Sequence, residues 1–395
     1  MLYTITVNPT VDITNELKLG DQVTAETHRP KDQLRHAGGK GIDVSRVIRN
    51  LGGQSVAMGF LGGFTGSLVE GLLLQDGLEL DFVGIRDETR TNVIIMVQDP
   101  ADKNRTLDYR FNSPGPKVQP FEFLELCKKV RALANSSKEK MPTYAAICGS
   151  LCKEMKAASY VGLVRYFKDM HSVVALDTSE EALKETLRYA PRPDIIKPNV
   201  DEFYDLMASK PPREGKSAAG CGIDSKGRTN TPTTFWKDLF EQIARFRRKY
   251  PGVNALITLG DMGMVLLQDN HLSHARLCPG VHVKVRSSVG AGDSALAGLL
   301  FELDRGRLWA DALRTALAAA TAAVLLPGTE SPTKENVEKF MGRVEIHEHE
   351  FPSTDTPKQP NQHAVRRAFK QKTGIGPARN NRKSHSKFKS SVTAK

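Results

Sequence analysis

An acidic residue, Asp293, follows a glycine turn in the segment Ser287–Ser294, SSVGAGDS. The alternating segment Val281–Val285 before the turn predicts a strand, and the apolar segment Ala295–Leu303 after it predicts a helix. A glycine turn between a strand and a helix presents free N–H groups at the helix N-terminus, where the helix dipole also favours a bound phosphoryl group. A carboxylate beside such a group repels it, so we expect Asp293 to accept a proton from a hydroxyl that attacks the phosphorus. The alternative is that Asp293 only caps the helix.

A second group of glycines surrounds a lysine in the segment His36–Asp43, HAGGKGID. These glycines permit a close approach of the backbone to a ligand. Lys40 opens the predicted helix Lys40–Leu51, and a cation at a helix start opposes the helix dipole, so we expect it to have an anionic partner. Further along, Arg90 in the segment Glu88–Asn92 either holds a phosphate through two parallel hydrogen bonds or is a solvated side chain.

Two other phosphate-binding motifs are excluded by their surroundings. Gly290, Gly292 and Ala295 fit a dinucleotide-binding pattern, but the pattern lies late in the chain rather than after its first strand. Gly215–Ser217 matches the end of a P-loop, but residue 210 is a lysine rather than a glycine and no strand precedes the segment. A nicotinamide-dependent oxidoreductase is therefore a weak alternative.

Short apolar segments alternate with helical patterns along most of the chain. Strands are predicted at Leu2–Val7, Val56–Leu61, Tyr144–Cys148, Val173–Asp177, Asp194–Lys197 and Ala255–Leu259. This alternation predicts an α/β fold, with a parallel sheet covered by helices on both faces. Glu16–Arg29 and Thr91–Phe111 are strand-like segments outside the alternation. We expect them to form a small β-sheet lid over the ligand crevice, at about residues 14–30 and 90–112.

The composition indicates a globular protein with an appended tail. Hydrophobic residues make up 39% and charged residues 26% of the 395 residues, which excludes disorder along the whole chain. The longest apolar run, Ala316–Leu326, is too short to span a membrane, and the N-terminus has no secretory pattern. We expect the core to occupy residues 1–346, with an inserted surface loop at 211–233 and a basic, disordered tail at 347–395.

Charge and cysteine content suggest partners and a compartment. The net charge is +11, and from Thr356 onward there are 11 basic residues and no acidic one, so weak binding of polyanions by the tail is expected. The five cysteines are odd in number and lack the spacing of a zinc site. They indicate reduced thiols in a cytoplasmic protein.

Eight motifs, in order along the chain, resemble those of the PfkB-type sugar kinases of the ribokinase superfamily. They are Thr6–Asp12 (TVNPTVD), Gly38–Gly41 (GGKG), Gly59–Gly63 (GFLGG), Thr89–Asn92 (TRTN), Gly149–Leu151 (GSL), Lys197–Glu202 (KPNVDE), Thr258–Gly263 (TLGDMG) and Val289–Ser294 (VGAGDS). The resemblance extends from Tyr3 to about Val344. It implies a ribokinase-like sheet with a β-sheet lid, through which relatives often pair as homodimers.

The resemblance implies a role for each matching residue in ATP- and Mg²⁺-dependent phosphoryl transfer. Asp293 would be the base, and the N–H groups of Gly290, Ala291 and Gly292 would stabilise the charge of the transferred group. The residues implied for the sugar and its phosphate are Asp12, Gly38, Gly39, Lys40, Asp43, Arg90, Asn92 and Ser150. Those implied for the nucleotide are Lys197, Asn199, Thr258, Gly260 and Gly263, with Glu202 acting on Mg²⁺ through water.

Within the family the chain looks most like the 1-phosphofructokinases and tagatose-6-phosphate kinases, because of its GGKG, GFLGGFTG and TRTN segments. This implies phosphorylation of a ketohexose phosphate, with fructose 1-phosphate as the leading substrate. Activity as a 6-phosphofructokinase or tagatose-6-phosphate kinase is the alternative, and Tyr109–Gly115 is closer to the 6-phosphofructokinase type. A non-catalytic protein that binds nucleic acid through the tail is a remote alternative.

Two residues depart from the family pattern. Asp43 stands where relatives have asparagine, and Cys152 stands where the loop Gly149–Leu151 usually continues with proline. An ionised aspartate only accepts hydrogen bonds, so Asp43 needs donors, either sugar hydroxyls or the Lys40 ammonium group. We expect Asp43 to weaken phosphosugar binding or to shift the substrate preference.

Overall fold

The structure is a computed structural model that describes residues 1–17, 27–98, 106–212, 233–269 and 274–350. Within these ranges the strands are Leu2–Thr6 (β1), Thr10–Glu16 (β2), Asp32–Gly38 (β3), Ser55–Gly62 (β4), Glu79–Ile85 (β5), Arg90–Gln98 (β6), Thr106–Phe111 (β7), Tyr144–Cys148 (β8), Val173–Asp177 (β9), Ile195–Ile196 (β10), Asn254–Thr258 (β11), Gly263–Leu267 (β12), His274–Pro279 (β13) and His347–Glu350 (β14). The α-helices are Lys40–Asn50 (α1), Gly63–Gln75 (α2), Pro120–Ala132 (α3), Ala158–Asp169 (α4), Glu180–Arg188 (α5), Val200–Leu206 (α6), Thr233–Lys249 (α7), Ala291–Asp304 (α8), Trp309–Ala323 (α9) and Lys334–Met341 (α10).

The central sheet contains ten of the described strands, in the order β14-β13-β12-β11-β10-β9-β8-β1-β4-β5. The seven strands from β11 to β5 in that order are mutually parallel. Strands β12, β13 and β14 extend the sheet antiparallel to one another at one edge. The predicted α/β class is confirmed, with a mixed and mostly parallel sheet.

Helices cover both faces of this sheet because alternate strand residues point to opposite sides. In β1, Tyr3 and Ile5 belong to a core shared with α3–α7, whereas Leu2 belongs to a second core shared with α1, α8, α9 and α10. All three side chains are almost fully buried. Burial of each such side chain contributes about 1.5–3 kcal/mol, so both cores hold the parallel strands in place.

A smaller four-stranded sheet, the lid sheet, has the order β3-β2-β6-β7. The predicted segment Thr91–Phe111 matches β6 and β7, but the other predicted lid segment, Glu16–Arg29, is displaced. Strand β2 ends at Glu16 and β3 begins only at Asp32, and residues 18–26 lie outside the described part. The apolar residues of β2, such as Val11 and Ile13, pack against α2, which places this strand earlier than the sequence pattern suggested.

Two further predictions about the ends of elements are wrong. Val281–Val285 alternates like a strand but forms none, because β13 ends at Pro279 and the next residues have no neighbouring strand with which to pair. The core does not end at Ile346, because His347–Glu350 pairs with β13 as an edge strand. Arg276 of β13 lies 3.1 Å from Glu348, which favours this pairing.

The inserted loop predicted at residues 211–233 lies outside the described residues except for 211, 212 and 233, and the tail predicted at 347–395 lies outside them except for 347–350. Among the described residues, no helix combines the length and the apolar character that a membrane span needs.

Candidate active site at the carboxyl ends of the parallel strands

A cavity of about 800 Å³ lies beside the carboxyl ends of the parallel strands. This edge of an open α/β sheet is where ligands usually bind. One part of its lining is polar and includes Lys40, Lys197 and Asp293, whereas another part is apolar and includes Leu317 and Val324. The cavity therefore offers separate surfaces for a charged group and for a flat apolar one.

The glycine turn before α8 positions Asp293 at the polar end of this cavity. Gly290 adopts the left-handed conformation with φ of 74°, and α8 begins at the next residue. Asp293 lies in the first turn of the helix, whose N–H groups have no partner within the helix. A Cβ atom on Gly292 would lie only 3.0 Å from Lys197 Nζ, so glycine keeps the turn close to this ammonium group.

A cluster of two carboxylates and two ammonium groups forms the centre of the site. Asp177 is completely buried and lies 2.9 Å from Lys40 Nζ and 3.0 Å from Lys197 Nζ. Asp293 is the fourth member, since its carboxyl interacts with the same three groups. The predicted anionic partner of Lys40 is thus Asp177 from the end of β9.

These neighbours change the protonation of both carboxyl groups. Burial and the adjacent negative charge of Asp177 raise the pKa of Asp293 to about 6. Burial also acts to raise the pKa of Asp177, but Lys197 and Lys40 outweigh it and hold that pKa below its usual value. Asp177 raises the pKa of Lys40 in turn. At neutral pH the site therefore holds an ionised Asp293 whose proton affinity is higher than that of an ordinary aspartate.

Asp177 is the functional residue that the sequence analysis missed. In the sequence it is the last residue of the predicted strand Val173–Asp177. The signal was available, because a charged residue at the carboxyl end of a buried parallel strand lies at the ligand edge of the sheet.

Asn199 and Glu202 cap the start of α6 reciprocally. The Asn199 Oδ1 atom accepts a hydrogen bond of 2.8 Å from the Glu202 N–H, and Glu202 Oε2 accepts one of 2.8 Å from the Asn199 N–H. Both side chains line the cavity. Their oxygen atoms suit Mg²⁺, and the described residues contain no group of three or more His, Cys, Asp or Glu that could hold a metal by itself.

Thr258, Gly260 and Gly263 lie where β11 turns into β12, and all three line the cavity. Gly263 has a φ of 96°, and a side chain there would collide with the Cys278 carbonyl group. The start of β12 therefore approaches the end of β13 closely at this point.

The remaining predicted residues lie between the lid sheet and α1. Asp12 on β2 is buried and accepts a hydrogen bond of 2.9 Å from Asn92 Nδ2 on β6. Burial raises the pKa of Asp12, and the Asn92 hydrogen bond and the charge of Arg90 oppose this rise. Gly38 has no space for a side chain, because a Cβ atom would collide with the Asp12 carboxylate. Gly39, with a φ of 134°, completes the turn into α1.

Arg90 and Ser150 lie close to the loop that follows β1. The Arg90 guanidinium donates to the carbonyl groups of Asn8 and Ser113, at 3.2 and 3.3 Å, while its buried Nε atom has no hydrogen-bond partner. Burial lowers the pKa of Arg90. Ser150 accepts a hydrogen bond of 3.2 Å from Asn8 Nδ2. A buried guanidinium nitrogen without a partner is suited to an anionic ligand.

Asp43 has a different partner from those expected. Its Oδ1 atom lies 2.7 Å from Arg46 Nη1, one turn along α1, whereas the Lys40 ammonium group is engaged with Asp177. Cys152, the second departure, is buried and its thiol donates to the Val7 carbonyl oxygen at 2.9 Å. Burial raises the pKa of Cys152 to about 12, so the thiol is neutral.

Residues 6–336 match the model of the pfkB family of carbohydrate kinases. The chain belongs to this family. Among curated relatives, 1-phosphofructokinase of Borreliella burgdorferi is 30% identical over 325 residues, which cover 82% of this chain and 92% of that protein. The 1-phosphofructokinase of Haloferax volcanii is 30% identical over 346 residues, covering 88% and 98%. Tagatose-6-phosphate kinase of Staphylococcus epidermidis is 28% identical over 300 residues, covering 76% and 84%.

Solved structures of related kinases share the fold of this pfkB-family chain. Escherichia coli phosphofructokinase-2 in complex with fructose-6-phosphate superposes with a TM-score of 0.69 at 22% identity, covering 87% of this chain and 98% of that one. Arabidopsis thaliana ribokinase complexed with ribose and ATP gives 0.61 at 18% identity, covering 86% and 98%. The predicted ribokinase-like fold and the predicted kinase family are confirmed. Membership of a kinase family implies ATP as the phosphoryl donor and a sugar phosphate as the acceptor.

Proposed function

We propose that the protein transfers the γ-phosphoryl group of ATP to the 6-hydroxyl group of fructose 1-phosphate, forming fructose 1,6-bisphosphate. The observation that carries this proposal is the position of Asp293, in the first turn of α8 and against the buried Asp177–Lys40–Lys197 group. A hydroxyl acceptor needs a base at the point of attack, and phosphoryl transfer needs cations around the transferred group. This site places both at one end of a cavity large enough for a nucleotide.

In the proposed mechanism Asp293 accepts the proton of the sugar hydroxyl, while the oxygen of that hydroxyl forms a bond to the γ-phosphorus. The bond between that phosphorus and the bridging oxygen breaks, and ADP leaves with the electron pair. Because the pKa of Asp293 is about 6, the carboxylate is ionised at neutral pH and still takes up a proton readily. Lys197 and the first N–H groups of α8 would stabilise the negative charge of the transferred group.

The nucleotide would lie along the rest of the cavity, in contact with Lys197, Asn199, Thr258, Gly260 and Gly263. Mg²⁺ would be held near its phosphates by Glu202 through water, and when bound it would neutralise charge on the β- and γ-phosphate oxygens. The apolar part of the lining, which includes Leu317 and Val324, would receive the base.

The phosphate already present on the sugar would contact Arg90, Asn92 and Lys40. The charge of Lys40 is partly neutralised by its ion pair with Asp177. Arg90, which has a buried nitrogen without a hydrogen-bond partner, would therefore provide the larger part of the attraction for the sugar phosphate. Asp12, Asp43, Gly38, Gly39 and Ser150 would surround the sugar hydroxyl groups. A substrate without a phosphate would bring no negative charge to the Arg90 guanidinium, which otherwise donates to two carbonyl groups, and this supports a phosphosugar as substrate.

A coupled assay of ATP consumption would test this function with fructose 1-phosphate, fructose 6-phosphate, tagatose 6-phosphate and unphosphorylated fructose. We expect the highest kcat/KM with fructose 1-phosphate and negligible turnover of fructose. Arg90→Ala should raise KM for the phosphosugar by about tenfold or more and leave KM for ATP nearly unchanged, because only one charge-assisted contact is lost. A preference for fructose 6-phosphate or tagatose 6-phosphate would replace the proposed substrate by one of the two alternatives.

We also infer that the protein forms a homodimer and is located in the cytoplasm. The lid sheet carries exposed apolar side chains at Leu34, Tyr109 and Phe111, which supports a homodimer formed through the lid. The cysteines Cys127, Cys148, Cys152 and Cys278 are free and buried, which supports a reducing, cytoplasmic location. Size-exclusion chromatography with light scattering, on the wild type and Phe111→Ser, would test the dimer.

A further inference from the structure

Arg46 makes three contacts that tie together separate parts of the sugar side of the site. Its guanidinium lies 2.7 Å from Asp43 Oδ1, 2.8 Å from Asp76 Oδ2 and 2.7 Å from the Ala37 carbonyl oxygen. Only 12% of the side chain is exposed. Asp76 is the C-terminal cap of α2, and Ala37 is the next-to-last residue of β3. One side chain thus connects α1, α2 and the lid sheet.

Asp43 depends on this contact because its surroundings are otherwise negative. Burial raises the pKa of Asp43, and the charges of Asp293 on α8 and Asp12 on β2 raise it further, while Arg46 opposes the rise. The charged groups that act on Asp43 are thus Arg46 on its own helix and two aspartates from neighbouring elements. Arg46 also pairs with Asp76. His36, Arg46 and Asp76 together line a small surface cavity.

The Ala37 contact fixes the backbone just before two glycines, the first of which has no room for a side chain. Ala37 is followed by Gly38, where a Cβ atom would collide with the Asp12 carboxylate, and by Gly39, which has a φ of 134°. A small displacement of the Ala37 carbonyl group would therefore move both glycines and the start of α1. Lys40, which contacts Asp177, is the first residue of that helix.

We propose that Arg46 is a positioning residue of the sugar subsite, which neutralises the Asp43 carboxylate and holds the Ala37–Gly39 turn against Asp12. It allows an aspartate to occupy position 43 beside an anionic substrate. The inference rests on the proposed function as far as the sugar subsite is concerned, but the pairing of Arg46 with Asp43 stands on the contacts alone.

The kinetic test compares Arg46→Met with the double variant Arg46→Met/Asp43→Asn. In the single variant Asp43 loses its counter-ion near the substrate, so KM for fructose 1-phosphate should rise by about tenfold or more while KM for ATP changes less than about twofold. In the double variant position 43 carries no charge, and Asp76, the other carboxylate that loses Arg46, is partly exposed, so most of the rise should disappear. Arg49→Met is the matched control, because Arg49 lies one turn further on α1 and donates a hydrogen bond to the Gly77 carbonyl group rather than to a carboxylate.

A thermal test gives a second measurement that needs no sugar turnover. The pKa of buried Asp43 lies above its ordinary value even beside Arg46, and without Arg46 it should rise further, so that ionisation of Asp43 costs more stability as pH increases. The deficit in Tm of Arg46→Met relative to the wild type should therefore be larger at pH 8 than at pH 5. The double variant should show the same deficit at both pH values. Arg46→Lys, which keeps a charge without the guanidinium fork, should show a Tm deficit that varies less with pH than that of Arg46→Met.

Three results would overturn the proposal: no recovery in the double variant, an equal KM effect in Arg49→Met, or a Tm deficit of Arg46→Met that does not depend on pH. If the wild type turns over no ketose phosphate, the proposed function is wrong, and the Tm comparison still decides whether Arg46 neutralises Asp43.

Discussion

At the residue scale, the charge balance around Asp293 determines how the site works. Two ammonium groups and two carboxylates share one buried volume, with Asp177 between Lys40 and Lys197. In the proposed mechanism Asp177 has two effects: it pairs with both lysines, and its own charge raises the pKa of Asp293, the proposed base. These two effects are separable by substitution.

Asp293→Asn should lower kcat by about 10²–10⁴-fold, because general-base assistance is lost while the turn and helix remain. The dissociation constant for ATP should change little. In the wild type, kcat/KM should fall as pH drops below about 6, because the base becomes protonated. Asp311→Asn, in the first turn of the neighbouring helix α9, is the matched control. A kcat of Asp293→Asn close to the wild-type value would remove this residue from its assigned role.

Asp177→Asn should shift the acidic limb of the pH profile to lower pH, because the negative charge that raises the Asp293 pKa is gone and both lysines remain. Removal of one partner from a buried ion pair costs about 3–5 kcal/mol, and the partial exposure of Lys40 places the loss near the lower end. Since the folded-state pKa of Asp177 is lowered, its contribution exists at neutral pH and disappears in acid. The measurements are kcat/KM and the free energy of unfolding against pH.

A matched control for Asp177→Asn is Asp194→Asn, which removes the carboxylate that pairs with Lys168 away from the cavity. It should lower stability without moving the pH profile. If both variants leave the acidic limb unchanged, Asp177 has no part in setting the basicity of Asp293.

At the element scale, the sequence predicted those parts of the fold that depend on local burial. Tyr144–Cys148 and Val173–Asp177 form strands with the predicted bounds, because short apolar runs between polar residues are buried on both faces of a parallel sheet. Val281–Val285 shows the limit of such patterns, since alternation gives a strand only where a neighbouring strand supplies hydrogen bonds. His347–Glu350 shows the reverse, because a polar segment pairs where the edge of β13 is available.

The site, too, has features that depend on local sequence and features that depend on tertiary packing. The motifs placed Asp293, Lys197 and Thr258 on one cavity, because glycine turns and strand ends are recognisable in sequence. The position of Asp177 at a strand end is readable in the sequence, but its pairing with Lys40 and Lys197 joins different elements. The contacts of Arg46 with Asp76 and Ala37 likewise join different elements. Such contacts depend on tertiary packing, which a local pattern does not contain.

Strand β14 and the connector before it should stabilise the loop that lines the cavity proposed to bind the nucleotide. Val344 is buried, its carbonyl oxygen accepts a hydrogen bond of 2.7 Å from Arg314, and the Cys278 thiol donates to the Glu345 carbonyl oxygen at 3.2 Å. The His349 ring stacks on Phe240 of α7 with centroids 3.9 Å apart. Residues that follow β13, including Val281, line the cavity.

A chain that ends after Met341 should therefore have a lower Tm and a higher KM for ATP than a chain that ends after Glu350. Val344→Ala in the full chain is a milder test and should cost about 1–3 kcal/mol of stability through the lost burial. Differential scanning calorimetry and nucleotide kinetics are the measurements. Equal values for the two truncated chains would show that β14 is dispensable.

At the scale of the whole molecule, charge is distributed unequally between the kinase and its tail. The tail residues 356–395 contribute 11 basic side chains and no acidic one, so the remaining chain has equal numbers of basic and acidic residues, 45 of each. The pfkB match ends at residue 336, before this segment begins. The catalytic proposal therefore makes no use of the tail.

Deletion of residues 356–395 should leave kcat, both KM values and Tm nearly unchanged, while affinity for heparin or single-stranded nucleic acid should be lost. The reason is that non-specific affinity comes mainly from the counterions that a polyanion releases when lysine and arginine bind it, and the whole excess of basic over acidic residues is in the tail. In the full chain, the logarithm of the binding constant should fall linearly with the logarithm of salt concentration, as measured by fluorescence anisotropy between about 50 and 200 mM salt. A variant with the 11 basic tail residues replaced by glutamine separates charge from length and should behave like the deletion. Salt-insensitive binding by the full chain, or loss of kinase activity on deletion, would show instead that the tail makes specific contacts.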